Sequence, residues 1–264
     1  VQVTSQGQLL AQGNGRATVT VRVGKRSQTV KVEVVDADTA KIGFVHDVAP
    51  VLSKLGCNSA SCHASQHGKG GFKLSVFGYA PDEDFRAMVR EWQGRRSDLL
   101  EPEKSLILLK PLAAAPHGGG KRLENGSVEY RTLLAWLSSG APAPTLKESK
   151  ITRIEVSPQA RVGKLGFTQQ LRVTATYEDG AVRDVTALAK YDSMDEGFVS
   201  VTPGGMARAI GKGQAPIVVR YEGHAEATIL TVPYSDKIEL KGWKNNNFID
   251  ELAEAKFREV GIEP

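Results

Sequence analysis

The chain has 264 residues with 41% hydrophobic and 24% charged side chains, which is ordinary for two or three globular domains. Its net charge of +4 is small and scattered, so no basic stripe or aromatic platform points to nucleic acid. No apolar run reaches the length of a membrane span, and two cysteines are too few for a disulfide-built scaffold.

The first segment, Val1–Asp36, aligns without gaps to Val199–Tyr234, with identities at Val1/Val199, Gly7/Gly205, Gly13/Gly211, Gly15/Gly213, Val21/Val219 and Val34/Val232 among others. Both copies alternate apolar and polar residues, as in Ala17–Val23 and Ile217–Tyr221, and this predicts strands. Gly13-Asn14-Gly15 and Gly211-Lys212-Gly213 are expected to supply turns. A repeat of this kind predicts structural modules. Only the second copy has a front half, where Ile151–Pro158 and Leu171–Tyr177 alternate and Glu178-Asp179-Gly180 turns the chain. The first copy is therefore expected to begin inside a module or to complete a sheet elsewhere.

Between the copies the pattern becomes helical. Phe44, Val48, Val51, Leu52 and Leu55 share one face and stop at Gly56. Asp82–Glu91 after Pro81 predicts a weaker helix, and Ser127 caps a stronger one through Tyr130, Leu133, Leu134 and Leu137 to Gly140. Glycine-rich loops fill the rest. After the second copy, Asn247–Val260 is amphipathic, with an apolar face that has no partner in the sequence; the natural protein is expected to continue beyond it.

Directly after the first helix comes Cys57-Asn58-Ser59-Ala60-Ser61-Cys62-His63. Two thiols that add to haem vinyl groups, followed by an imidazole for iron, are the chemistry of covalent haem attachment. The usual spacer between the cysteines is two residues and here it is four, all small or polar. A Cys57–Cys62 disulfide, or two free thiols, is the competing reading. Five histidines and three methionines could supply the sixth iron ligand. His117 is the choice, because Pro116 and Gly118–Gly120 let the backbone pass close to a porphyrin. His67 is its rival, Met88 reads as core, and His46 and His224 read as bystanders. Arg95, Arg96, Lys121 and Arg122 are candidates for haem propionates or are solvated surface charge. Phe72, Phe77 and Tyr79 line a haem pocket or fill core.

Glu101-Pro102-Glu103-Lys104-Ser105-Leu106-Ile107-Leu108-Leu109 and Leu133-Leu134-Ala135-Trp136-Leu137-Ser138-Ser139-Gly140-Ala141-Pro142 resemble stretches of planctomycete-type cytochrome c domains. The run Ala175-Thr176-Tyr177-Glu178-Asp179-Gly180, followed by Val185-Thr186 and Val199-Ser200-Val201-Thr202, resembles bacterial group 2 immunoglobulin-like domains. The resemblance implies an α-helical, class I-like cytochrome c domain set between all-β immunoglobulin-like modules. Its parts are a partial β module over 1–38, the cytochrome domain over 40–145, a β-sandwich over 150–234 and the start of a further helical domain over 244–264. It also implies one covalent haem c with His63 and His117 as iron ligands, electron transfer to an unknown redox partner, and a periplasmic or exported location. The protein is then a redox carrier more than an enzyme. Surface adhesion or glycan binding by the β modules, with a Cys57–Cys62 disulfide and no haem, is the alternative.

Overall fold

The computed structural model describes residues 1–264 other than 5, 6, 8, 38–41 and 146–147. The expected boundary between 38 and 40 falls outside the described residues. The chain divides into two compact units, Val1–Ile42 and Gly43–Pro264.

The first unit is built of two antiparallel pairs. β1 (Gln2–Val3) pairs with β2 (Leu9–Leu10), and β3 (Gly15–Val23) forms a long hairpin with β4 (Arg26–Val34). Alternation along β3 predicts this geometry, since successive side chains point to opposite faces.

The second unit opens with a helical and loop-rich region. A single wide helical turn over Phe44–Val48 leads into α1 (Ala49–Lys54), followed by α2 (Pro81–Val89), α3 (Leu106–Leu109) and α4 (Val128–Ser138). Pro81 stands at the start of α2, where its missing N–H costs nothing, and Asp82 and Glu83 complement the helix dipole. Ser127 caps α4 by accepting from the Tyr130 N–H at 3.1 Å. These elements meet on three aromatic rings: Phe44 lies 5.6 Å from Phe85 and 5.5 Å from Trp136, centroid to centroid. Phe44 and Trp136 are completely buried, and the Trp136 indole N–H donates to Pro142 O.

This region is not the α-helical class I-like domain that the resemblance implies. Among the described residues helix makes up 23%, in five short helices, and the fold is mostly β, in several small sheets. The physical reason lies in the connections. Gly68, Gly70, Gly71 and Gly78 have φ between 60° and 77°, so the chain after Cys62 runs as successive turns. The apolar periodicity around residues 44–55 and 81–91 sustains only a few helical turns.

The β region contains β5 (Ile151–Ser157), β6 (Ala160–Val162), β7 (Thr168–Gln170), β8 (Arg172–Tyr177), β9 (Val182–Asp184), β10 (Lys190–Ser193), β11 (Val199–Val201), β12 (Met206–Ala209), β13 (Gly213–Tyr221) and β14 (His224–Val232). They form three sheets, ordered β10-β13-β14-β6, β11-β12-β7 and β5-β8-β9. They share one apolar core that includes Val173, Val199, Ile217, Val219 and Leu230, all fully buried. The repeat is reproduced in the long hairpins. Gly15 faces Val34 in the first copy as Gly213 faces Val232 in the second. α5 (Phe248–Val260) follows, capped by the Asn247 side chain at its start and ended by Gly261 at φ 67°.

Helical and β regions of this unit are joined by polar contacts. His46 Nδ1 lies 2.9 Å from Glu222, Lys54 Nζ donates to Glu129 and to Ala187 O at 2.6 Å, and Arg183 pairs with Asp47.

Candidate functional site

A cavity of about 550 Å³ opens in the helical region, within the usual size range of ligand pockets. Cys57, Cys62, His63 and His117 all line it.

The cysteine loop is held by its own backbone. Cys57 N donates to Leu52 O at 2.9 Å across Gly56, whose φ of 75° turns the chain, and this closes the C-terminal end of α1. Cys62 N donates to Ser59 O, and His63 N reaches back to Cys57 O at 3.0 Å. The four-residue spacer is thus folded into tight turns and its two ends are brought together. Asn58, fully buried, turns its amide to Ser53 Oγ at 2.8 Å and away from the cavity lining. Both cysteines are free thiols. Burial pushes the Cys57 thiol up to about 12, with the neighbouring Cys62 adding to the effect.

The two imidazoles are prepared in the same way. His63 Nδ1 lies 3.0 Å from Phe72 O, and His117 Nδ1 lies 2.9 Å from Gly120 O. A carbonyl can only accept, so each Nδ1 is the donor, which in the neutral ring leaves the lone pair on Nε2. The rings are nearly parallel, 11° apart, with centroids separated by 6.2 Å. Burial lowers the pKa of His63, which keeps the ring neutral and its lone pair available.

Glycines allow close approaches beside both histidines, of backbone at Gly68 and of the ring itself at Gly119. A Cβ on Gly68 would come within 2.2 Å of Phe72 O, and one on Gly119 within 2.9 Å of the His117 ring. Lys69 N and His63 Nδ1 both use Phe72 O, which closes a tight turn over Lys69-Gly70-Gly71-Phe72.

Charge in the cavity is one-sided. Lys69, Arg95, Arg96, Lys110 and Arg122 line it, and among the described residues no aspartate or glutamate does. Among the described residues no group of three or more His, Cys, Asp or Glu could hold a metal ion. Two imidazoles without a third protein donor suit a metal whose remaining positions are filled by a non-protein ligand. A cationic wall suits a ligand that carries carboxylates. The donor set, the cavity and the paired thiols therefore fit a haem.

Comparison with protein-family models and with curated proteins gives no match to this chain.

The other residues singled out from sequence separate into two groups. Phe72, Arg95, Arg96 and Arg122 line the cavity with the four attachment and ligand residues. Phe77, Tyr79 and Lys121 do not. Phe77 lies between Lys190 and Arg220, 5.5 and 5.1 Å from its ring centre, and so packs on the β region. Tyr79 is 70% exposed, and Lys121 pairs with Glu124 at 2.6 Å. The turn that carries Phe77 at φ 52° directs both aromatics away from the cavity. His67 is exposed and outside the lining. Met88, expected as core, is fully buried and also faces the cavity.

Sequence reasoning misses Lys69, Trp92 and Lys110 in the wall, and it misses the turn at Phe72. One signal is available. Each of the two histidines is followed by a glycine cluster, Gly68–Gly71 after His63 and Gly118–Gly120 after His117.

Proposed function

We propose that this chain carries one haem c, bound through thioethers at Cys57 and Cys62 with His63 and His117 as its iron ligands, and that it acts as an electron-transfer module. The observation that carries the reading is the pair of near-parallel imidazoles at 6.2 Å, each with its Nδ1 occupied, in the cavity that also holds both thiols. When bound, the group supplies one-electron oxidation and reduction, and two nitrogen ligands favour a low potential over one set by Met.

The chain's own residues do the rest. His63 and His117 would hold the iron through their Nε2 atoms, and a haem iron held by both would keep no coordination site open for a substrate. Arg95 lines the cavity, and its guanidinium has no hydrogen-bond or ion-pair partner among the described residues. It is the side chain best placed to receive a carboxylate. Leu52, Met88 and Leu106 give the wall an apolar part that excludes water. Haem attachment of this kind takes place outside the cytoplasm, so the reading carries with it an exported protein and a redox protein as partner. Among the described residues no helix is long and apolar enough to cross a membrane.

The test is expression of the full chain alongside a haem-c maturation system. The mass is expected to rise by one haem, and the colour is expected to stay with the protein through acid–acetone extraction. Changing both Cys57 and Cys62 to Ala removes that resistance, and His117→Ala opens the iron to carbon monoxide. A chain of unmodified mass, with free thiols or a disulfide, overturns the reading.

A further inference from the structure

Arg96 and Arg122 both line the cavity, and as cations beside a ligand with carboxylates both invite assignment as carboxylate partners. Their hydrogen bonds say otherwise. Arg96 is 8% exposed, and its Nη2 donates to Gly71 O at 2.5 Å while Nη1 donates to Ala87 O at 2.6 Å. Its guanidinium sits 4.7 Å from the centre of the Phe72 ring, and Glu91 is its carboxylate neighbour at 3.4 Å. Arg122 is exposed, yet its Nε donates to Gly119 O at 2.9 Å.

Placed side by side, the two sets of contacts have one plan. Arg96 holds the carbonyl of Gly71, and the next carbonyl, that of Phe72, takes the His63 Nδ1–H. Arg122 holds the carbonyl of Gly119, and the next carbonyl, that of Gly120, takes the His117 Nδ1–H. In both turns the held residue is a glycine, whose backbone has the widest conformational freedom and is the least able to fix its own carbonyl. An arginine fork supplies that constraint, because its donors are planar and fixed relative to one another.

The geometry points to Arg96 and Arg122 as a pair of positioning residues, each bracing the glycine turn whose following carbonyl sets the tautomer and orientation of one imidazole. This rests on the reading of His63 and His117 as ligands of one haem iron. It removes Arg96 from the carboxylate partners altogether, since its donors are engaged by Gly71, Ala87 and Glu91. It also predicts that the two braces act independently, each on its own ring. Outer partners of this kind fix which nitrogen of a ligating histidine is free.

The experiment has two arms. In the first, the full chain is made without haem and labelled with 15N at histidine, and the ring nitrogens of His63 and His117 are read by NMR. The wild type is expected to show one protonated Nδ1 and one lone-pair Nε2 in each ring. Arg122→Met should move the His117 signals toward the average of two exchanging tautomers and leave His63 unchanged. Arg96→Met should do the reverse. Arg86→Met, on the exposed side of α2, should change neither. Arg122 is exposed, so its variant remains informative even where Arg96→Met does not fold, and Arg96→Lys then reports on the fork with the charge retained.

In the second arm the same variants are loaded with haem and exposed to cyanide. Binding is expected at least about tenfold faster in each arginine variant than in the wild type, with the covalent attachment intact. The arms separate two failures. A wild type that takes no haem sinks the proposed function, while the NMR arm still judges the braces. A wild type that holds haem, with tautomers unmoved in both arginine variants, overturns the positioning role and leaves the function standing.

Discussion

Two glycines decide where the imidazoles stand, and they do so for different reasons. Gly68 has φ 67° and faces Phe72 O so closely that a Cβ would sit 2.2 Å from it. Gly68→Ala therefore carries both backbone strain and a clash with backbone, and should cost about 1–3 kcal/mol in urea unfolding. Gly119 does not have a left-handed φ; the nearest atoms its Cβ would meet belong to the His117 ring, at 2.9 Å. Gly119→Ala should leave stability within about 0.5 kcal/mol, the range of ordinary surface changes. It should still displace His117, so the haem-loaded variant is expected to bind carbon monoxide where the wild type does not. An unchanged ligand-binding spectrum in Gly119→Ala, or an unchanged midpoint in Gly68→Ala, contradicts these expectations.

At the scale of elements, the hairpin tip between β13 and β14 is a working part. Glu222 adopts φ 44°, an unfavourable conformation for a non-glycine residue, and its carboxylate lies 2.9 Å from His46 Nδ1. That hydrogen bond, with the attraction of Glu222 and Glu148, raises the His46 pKa above 6.5 against the opposing effect of burial and Arg183. A histidine pKa raised by folding stabilises the protein fully below about 6.5, and that contribution is lost as pH rises through the folded-state value. Glu222→Gln should cost about 1–3 kcal/mol at pH 5.5, as a hydrogen bond between charged groups. The gap from the wild type should narrow by pH 9 in urea unfolding. A gap that does not narrow rules out His46 protonation as its source. How far the sequence reveals such features depends on how local they are. The repeat makes β13 and β14 legible, because alternation and identity at Gly213, Val219 and Val232 act within single strands. The cap at Ser127 is equally plain. The cysteine cluster and the Pro-Gly loop mark four cavity residues. His46 reads as a bystander because its partner is 176 positions away, and Phe77 as a pocket residue because no periodicity describes a chain of turns.

On the scale of the whole second unit, residues 43–145 do not end where the composition changes. Tyr221 Oη donates to His46 O, the His46 ring packs edge-on to Tyr177 at 5.1 Å, and Lys54 ties α4 to Ala187. A fragment of residues 43–145 would leave Phe77 without Lys190 and Arg220, and the 12%-exposed Lys54 side chain without its carbonyl. It is therefore expected to melt at least about 5 °C below residues 43–264, a shift that corresponds to roughly 1 kcal/mol in a domain of this size. Equal melting of the two would show that the joining contacts add nothing to the helical region. Within that unit, both imidazoles are backed by peptide carbonyls, and neither by a carboxylate. A carbonyl has no proton to gain or lose across the physiological range, and among the described residues the cavity wall contributes no carboxylic acid. The acceptors that orient the two rings are therefore silent to acidity: under the proposed haem reading, an electron could arrive or leave without either histidine's backing partner having to exchange a proton with water.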